Sequence, residues 1–221
     1  VQNIYGFLGS RVHETLEKHH NDLMDGFCNS IDNLLEYYRK IWNEKWSDDI
    51  LVYGNKSIKD YRKDGEYCIK NYYSCNEPFE QETTIDTELN LRCSLEAYGE
   101  EYKFQGYIDR LSKLRDGFYR IHDYKTSKRL PSPEDLEKNR QLGLYQIAVQ
   151  QNYSDVDEIE LIWHYVRHGE ELKAKKTEED IQKLRLDLVR AVRKIERAKK
   201  RNTFPTKRFN GARCDWCDYQ H

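Results

Sequence analysis

No apolar run in the 221-residue chain approaches the roughly 20 residues that a membrane-spanning helix needs. No signal-peptide pattern opens it either, so a cytoplasmic location away from membranes is expected. Charge of one sign is also missing. The 37 Lys+Arg against 39 Asp+Glu leave a net charge of −2, which excludes a bulk basic nucleic-acid binder and confines any basic surface to a local patch. Internal repeats and low-complexity linkers are absent. So is a G-x-x-x-x-G-K-[ST] loop: "GNKS" lacks the required Gly–Lys pair. Any ATP-driven unwinding must come from another chain or from a segment outside this one. The first residue is Val1 rather than Met, as in a processed product or an excerpt of a longer chain.

What is present bounds the class. Aromatic residues make up 13% and include 17 tyrosines, too many for a disordered chain. With 38% hydrophobic and 34% charged residues, a core is feasible only if many faces are strongly charged. The length suits one large domain or a domain with a subdomain. Four of the six cysteines, Cys28, Cys68, Cys75 and Cys93, are scattered singly and read as reduced core residues. Cys214 and Cys217 form a C-x-x-C pair.

Periodicity divides the chain into three parts of one structural domain. Residues 1–78 read as mostly helical: Val12, Leu16, His19/His20 and Leu23 recur at helical spacing, as do Ile31, Leu34, Leu35, Tyr38 and Trp42. Residues 79–202 open with a period-two meander over 79–130. A helix follows from Pro133, with Ser132 as its N-cap, then a strand pair around His168–Gly169. A long helix comes next, capped by Thr177 and Asp180, with Ile181, Leu184, Leu188, Val192 and Ile195 as its buried stripe. Residues 203–221 are a Cys-containing tail. The pattern is a mixed α/β fold.

Two strands of the meander each carry an aspartate: Asp109 in "GYIDR" and Asp123 in "HDYKT". Asp116–Gly117 between them is a hairpin signal. A strict two-residue loop places Asp109 opposite Tyr124; a three-residue loop with Gly117 in the left-handed conformation places it opposite Asp123. In the second register two like charges face each other, which destabilises a sheet unless a divalent cation lies between them. Lys125 projects from the same face as Asp123. Carboxylate oxygens suit Mg²⁺ or Mn²⁺, and an ammonium suits an anionic substrate, so the set suggests phosphodiester hydrolysis. Asp-x-Lys by itself is common and decides nothing. Two solvated strand charges are the ordinary alternative.

The pattern extends further. His13 lies in "GSRVHETLE", Glu82 opens "ETTIDTEL" (with Glu80 readable in its place), and "QLGLY" sets Gln141 and Tyr145 four apart. In order and spacing the set resembles the PD-(D/E)XK nuclease superfamily. It is most similar to the RecB-like branch, which includes recombination helicase–nuclease domains and CRISPR-associated iron–sulfur exonucleases. The resemblance runs from about His13 to Cys217.

The resemblance implies a mixed central sheet flanked by helices, a restriction-endonuclease-like core with an N-terminal helical region. It implies Asp109 and Asp123 as acidic metal ligands, His13 and the Tyr124 carbonyl as further ligands, Lys125 as the catalytic lysine, and Gln141 and Tyr145 beside the DNA. It implies a Mg²⁺- or Mn²⁺-dependent deoxyribonuclease acting on single strands or ends, in DNA repair, recombination or CRISPR adaptation, with a helicase or nuclease-complex partner. A nuclease-fold DNA-binding scaffold without cleavage is the alternative. A metal-binding interaction domain built on "CDWC" is a third, which leaves the central strands unexplained.

Iron–sulfur members of the branch place one cysteine ahead of the histidine motif and three near the C-terminus. Cys214 and Cys217 match two of these positions, whereas Cys28, Cys68, Cys75 and Cys93 match none. This chain is therefore expected to hold no complete cluster, and a longer one to carry [4Fe–4S]. The basic segment "RKIERAKKRN", with Lys207 and Arg208 beyond it, is a candidate DNA-backbone contact.

Overall fold

The structure, a computed structural model, describes residues 2–52, 56–137 and 139–204. Cys214, Cys217, Lys207 and Arg208 lie outside the described residues. Three helices come first: α1 (Ile4–Met24), α2 (Ile31–Lys45) and α3 (Ile58–Asn76). Their starts follow local chemistry. The side chains of Asn3, Ser30 and Ser57 each accept a hydrogen bond from a backbone N–H of the first turn, and Ser57 with Asp60 completes a reciprocal capping box.

A mixed five-stranded sheet follows in the order β1 (Thr83–Ala97), β2 (Glu100–Arg115), β3 (Phe118–Tyr124), β4 (Glu158–Tyr165), β5 (Glu170–Ala174). All neighbours are antiparallel except β3 and β4. The parallel pair needs a crossover, supplied by α4 (Pro133–Glu137) and α5 (Gln141–Asn152). The single helix expected from Pro133 is thus two helices. The Asn139 carboxamide oxygen accepts from the Gln141 N–H at 2.9 Å and restarts the backbone there.

The last helix, α6 (Glu178–Arg201), begins at the Thr177–Asp180 box and ends in Lys199, Lys200 and Arg201, cations that suit the negative end of its dipole. Its buried stripe is shorter than the sequence implies: Ile181 and Leu184 are buried, whereas Ile195 is 58% exposed, beyond the edge of the sheet-covered turns.

Two cores flank the sheet. Ile121, Leu161 and Trp163 meet Leu142, Ile147 and Val149 of α5 and Ile181 and Leu184 of α6. On the other side Tyr124 and Val166 join Phe7, Leu8, Val12 and Leu16 of α1, with Leu34, Tyr38, Ile69 and Tyr72 from α2 and α3. Cys68 and Cys93 are core residues as expected, but Cys28, in the α1–α2 connection, and Cys75, in the last turn of α3, are exposed. Among the described residues no helix is long and apolar enough to cross a membrane.

The β2–β3 hairpin combines the two loop geometries. Arg115 pairs with Phe118 across a tight Asp116–Gly117 turn, with Gly117 at φ 73°. A bulge at Leu114 then shifts the register by one residue, giving Lys113↔Tyr119 and, at the far end, Arg110↔His122. One step beyond, Asp109 faces Asp123. The extra residue that brings the aspartates together therefore sits in the strand rather than in the loop.

Candidate active site

Asp109 and Asp123 are positioned differently. Oδ2 of Asp109 accepts the Tyr124 backbone N–H at 2.7 Å, which fixes its carboxylate between the two strand ends. Asp123 is 2% exposed. Nζ of Lys125 lies 2.5 Å from Oδ2 of Asp123 and forms an ion pair with that buried carboxylate. Burial raises the Asp123 pKa to about 6; Lys125 works against the shift and Asp109 adds to it. A buried carboxylate beside a second carboxylate is an arrangement that a divalent cation stabilises.

His13 reaches the same point from α1. Its Nε2 lies 2.9 Å from the Tyr124 carbonyl oxygen and its Nδ1 3.5 Å from Oδ1 of Asp109. Burial would lower its pKa, but the contact with Asp109, the charges of Asp109 and Asp123 and the Tyr124 carbonyl together raise it.

Gln141 and Tyr145 stand on the first two turns of α5. Gln141 Nε2 donates to the Tyr145 hydroxyl at 3.1 Å, as their four-residue spacing requires. Burial raises the Tyr145 phenol pKa, the Gln141 hydrogen bond opposes this, and Asp123, Asp109 and Glu88 add to it, so the ring is within electrostatic reach of the aspartates. A side chain on Gly106 would place its Cβ 2.7 Å from Cε1 of that ring. The glycine of "GYIDR" is therefore what lets the tyrosine of "QLGLY" lie against β2.

Glu82 is not brought to this point. Its carboxylate bonds Arg110 Nη1 at 2.7 Å, Arg120 Nη1 at 3.1 Å and His122 Nε2 at 3.0 Å. Burial alone would raise its pKa, but His122 and the two arginines hold it far below the usual carboxylate range. Arg110 also donates to His122 Nδ1 at 2.9 Å, so that nitrogen is unprotonated. Burial and the Arg110 charge lower the His122 pKa to about 3. His164 stacks on His122 and meets Glu171. This network ties β2, β3 and β4 together beneath the aspartates. The alternation of side chains sends Arg110 and His122 to the face opposite Asp109 and Asp123.

The glutamate that does approach is Glu88, which sequence reasoning missed. The ligand atoms of His13, Glu88 and Asp109 all lie within 4.8 Å of one another. Glu88 has φ 45°, left-handed backbone in mid-strand, and strict period-two alternation cannot anticipate where such a residue points. Its pKa is raised by burial first and then by Asp109, with His13 opposing.

His13, Asp109, Asp123 and the Tyr124 carbonyl together offer one imidazole nitrogen and hard oxygens, a donor set that fits Mg²⁺ or Mn²⁺. A solved structure of a candidate exonuclease from Eubacterium rectale matches with a TM-score of 0.46 and 14% identity, covering 99% of this chain and 73% of that one. No curated protein matched the sequence. The model of the PD-(D/E)XK nuclease superfamily matches residues 6–221, nearly the whole chain, and the protein accordingly belongs to that superfamily.

Proposed function

We propose that this nuclease is a Mg²⁺- or Mn²⁺-dependent deoxyribonuclease of the RecB-like type, hydrolysing phosphodiester bonds at DNA ends or in single strands. The observation that carries this reading is the convergence of Asp109, Asp123, Lys125 and His13 at the open end of the β2–β3 hairpin. A divalent cation bound there supplies a Lewis acid that neutralises a phosphate oxygen and acidifies water.

The protein's own groups do the rest. Asp109 and Asp123, held by the Tyr124 amide and by Lys125 respectively, provide ligand oxygens in fixed orientation. Lys125, half-buried at the end of β3, orients the attacking water or stabilises negative charge developing on the phosphate. Gln141 and Tyr145 offer an amide and a phenol on one helix face to position the strand. Repair, recombination or CRISPR adaptation, with a helicase or nuclease-complex partner, is the setting such an enzyme suits. Cys214 and Cys217 offer two thiolates, half of what a [4Fe–4S] cluster requires. Iron and sulfide analysis after anaerobic purification tests whether further ligands join them.

The direct test is cleavage of end-labelled single-stranded and duplex DNA with Mg²⁺, Mn²⁺ or EDTA, comparing the parent with Lys125→Ala. Cleavage that requires the metal and disappears in the variant is expected. Metal-independent cleavage, or equal turnover in the two proteins, overturns the reading.

A further inference from the structure

One residue of "GYIDR" is used neither by the core nor by the site. Gly106 admits the Tyr145 ring, Ile108 is buried, Asp109 accepts the Tyr124 amide and Arg110 pairs with Glu82. Tyr107 is left over, and it is 53% exposed. Side chains alternate along β2, so Tyr107 leaves the strand on the face that carries Asp109, with roughly 7 Å between the two Cα atoms.

A single exposed aromatic needs no explanation by itself. This one is held in place. The ladder sets Asn90 across from Tyr107 and Arg92 across from Gln105. Asn90 Nδ2 donates to the Tyr107 hydroxyl at 3.4 Å, and Asn90 Oδ1 accepts from Gln105 Nε2 at 2.9 Å. Three exposed side chains thus orient one another, and the ring keeps an open face.

Further out along the hairpin the same side turns basic. Arg92, Lys103 and Gln105 line an open cavity of about 500 Å³, together with Ser94, Phe104 and Asn152. Lys103 pairs with Glu101 at 3.5 Å, whereas exposed Arg92 has no ion-pair partner among the described residues. The other side of the hairpin is closed, because Leu91, Leu95, Tyr102 and Ile108 are buried. From Asp109 outwards the exposed side therefore presents an oriented ring and then an unpaired guanidinium. A nucleic-acid strand offers the complement, a base and then a phosphate. A duplex keeps its bases stacked on one another, so only an unpaired strand has a base face free for the ring.

We propose that the exposed side of the β1–β2 hairpin is a track for single-stranded DNA, in which the Tyr107 ring stacks on a base close to the cleaved phosphate and Arg92 meets the backbone beyond it. The proposal rests on the metal-dependent nuclease reading above and narrows its substrate to unpaired strands.

The test measures binding in Ca²⁺ to single strands carrying 2-aminopurine at successive positions, whose fluorescence falls when the base stacks. The parent should quench one position. Tyr107→Ala should lose that quench and bind single strands at least about fivefold more weakly, with duplex binding and the Mn²⁺ affinity of the DNA-free protein unchanged. Tyr107→Phe keeps the ring and should keep the quench. Tyr107→Leu keeps apolar bulk without a ring and should behave as Tyr107→Ala; thermal unfolding checks that each variant folds. Arg92→Ala should reduce the log–log salt slope of single-strand binding by about 0.7, the value of one phosphate contact. A parent without a quenched position, a quench that survives in both Tyr107→Ala and Tyr107→Leu, or equal weakening towards single strands and duplex overturns the track, while metal-dependent cleavage by the parent still stands. A parent that neither binds single strands nor cleaves DNA with metal overturns both.

Discussion

The ring of Tyr145 lies where a side chain on Gly106 would have to be: the Cβ of an alanine would fall 2.7 Å from Cε1. Two motif residues separated by 39 positions are therefore one structural unit. Gly106→Ala should displace Tyr145 and destabilise the fold by about 1–3 kcal/mol, the usual effect of overpacking. Its cleavage defect should resemble that of Tyr145→Ala, with KM rising for single-stranded DNA and Mn²⁺ affinity unchanged. Wild-type KM in Gly106→Ala would show that the ring's position is immaterial to the substrate.

Lys125→Ala should lower kcat by at least about a hundredfold, the scale associated with losing one stabilising donor. DNA binding in Ca²⁺, measured by fluorescence anisotropy, should change far less. Equal losses in binding and turnover would assign the lysine to substrate affinity instead.

The raised pKa of Asp123 makes a signed prediction for metal-free protein. Its folded value is about 6 against 3.8 for the ordinary aspartate, so the folded state holds the proton more tightly. Stability should then fall as pH rises from about 4 to above 6, and level off beyond. Asp123→Asn should remove this dependence and, at pH 7.5 in EDTA, stabilise the protein by about 3 kcal/mol. Urea unfolding of both proteins at pH 4 and pH 7.5 measures it; a variant no more stable than the parent at pH 7.5 contradicts the assignment.

Glu82 and Arg110 form a buried ion pair at 2.7 Å, on the face opposite Asp109 and Asp123. Removing one partner strands the other's charge, so Arg110→Met should destabilise by about 3–5 kcal/mol. Glu82→Gln should lower the melting temperature without altering the number of Mn²⁺ ions bound. A lost ion in Glu82→Gln would place that glutamate in the metal site.

Much of the fold is legible without coordinates, for local reasons. The start of α6 follows from Thr177 and Asp180, the hairpin from Asp116–Gly117, and the meander from period-two alternation. The shared face of Asp123 and Lys125 also needs nothing beyond strand geometry. The split of the crossover helix is less visible, because the sequence reads as helical on both sides of Asn139.

The chain alone determined which residue types were available: two strand aspartates, a lysine two positions on, an early histidine and a Gln/Tyr pair at helical spacing. Tertiary structure decided which acid joins them. Glu82 and Glu88 both belong to the β1 region, and nothing in their immediate neighbours separates them. Glu82 meets Arg110, Arg120 and His122 on one face, whereas left-handed backbone turns Glu88 towards His13 and Asp109. Side-chain direction along a strand depends on every bulge and irregular residue before it. The register depends on pairing with strands far away in sequence, and only the assembled sheet holds that information.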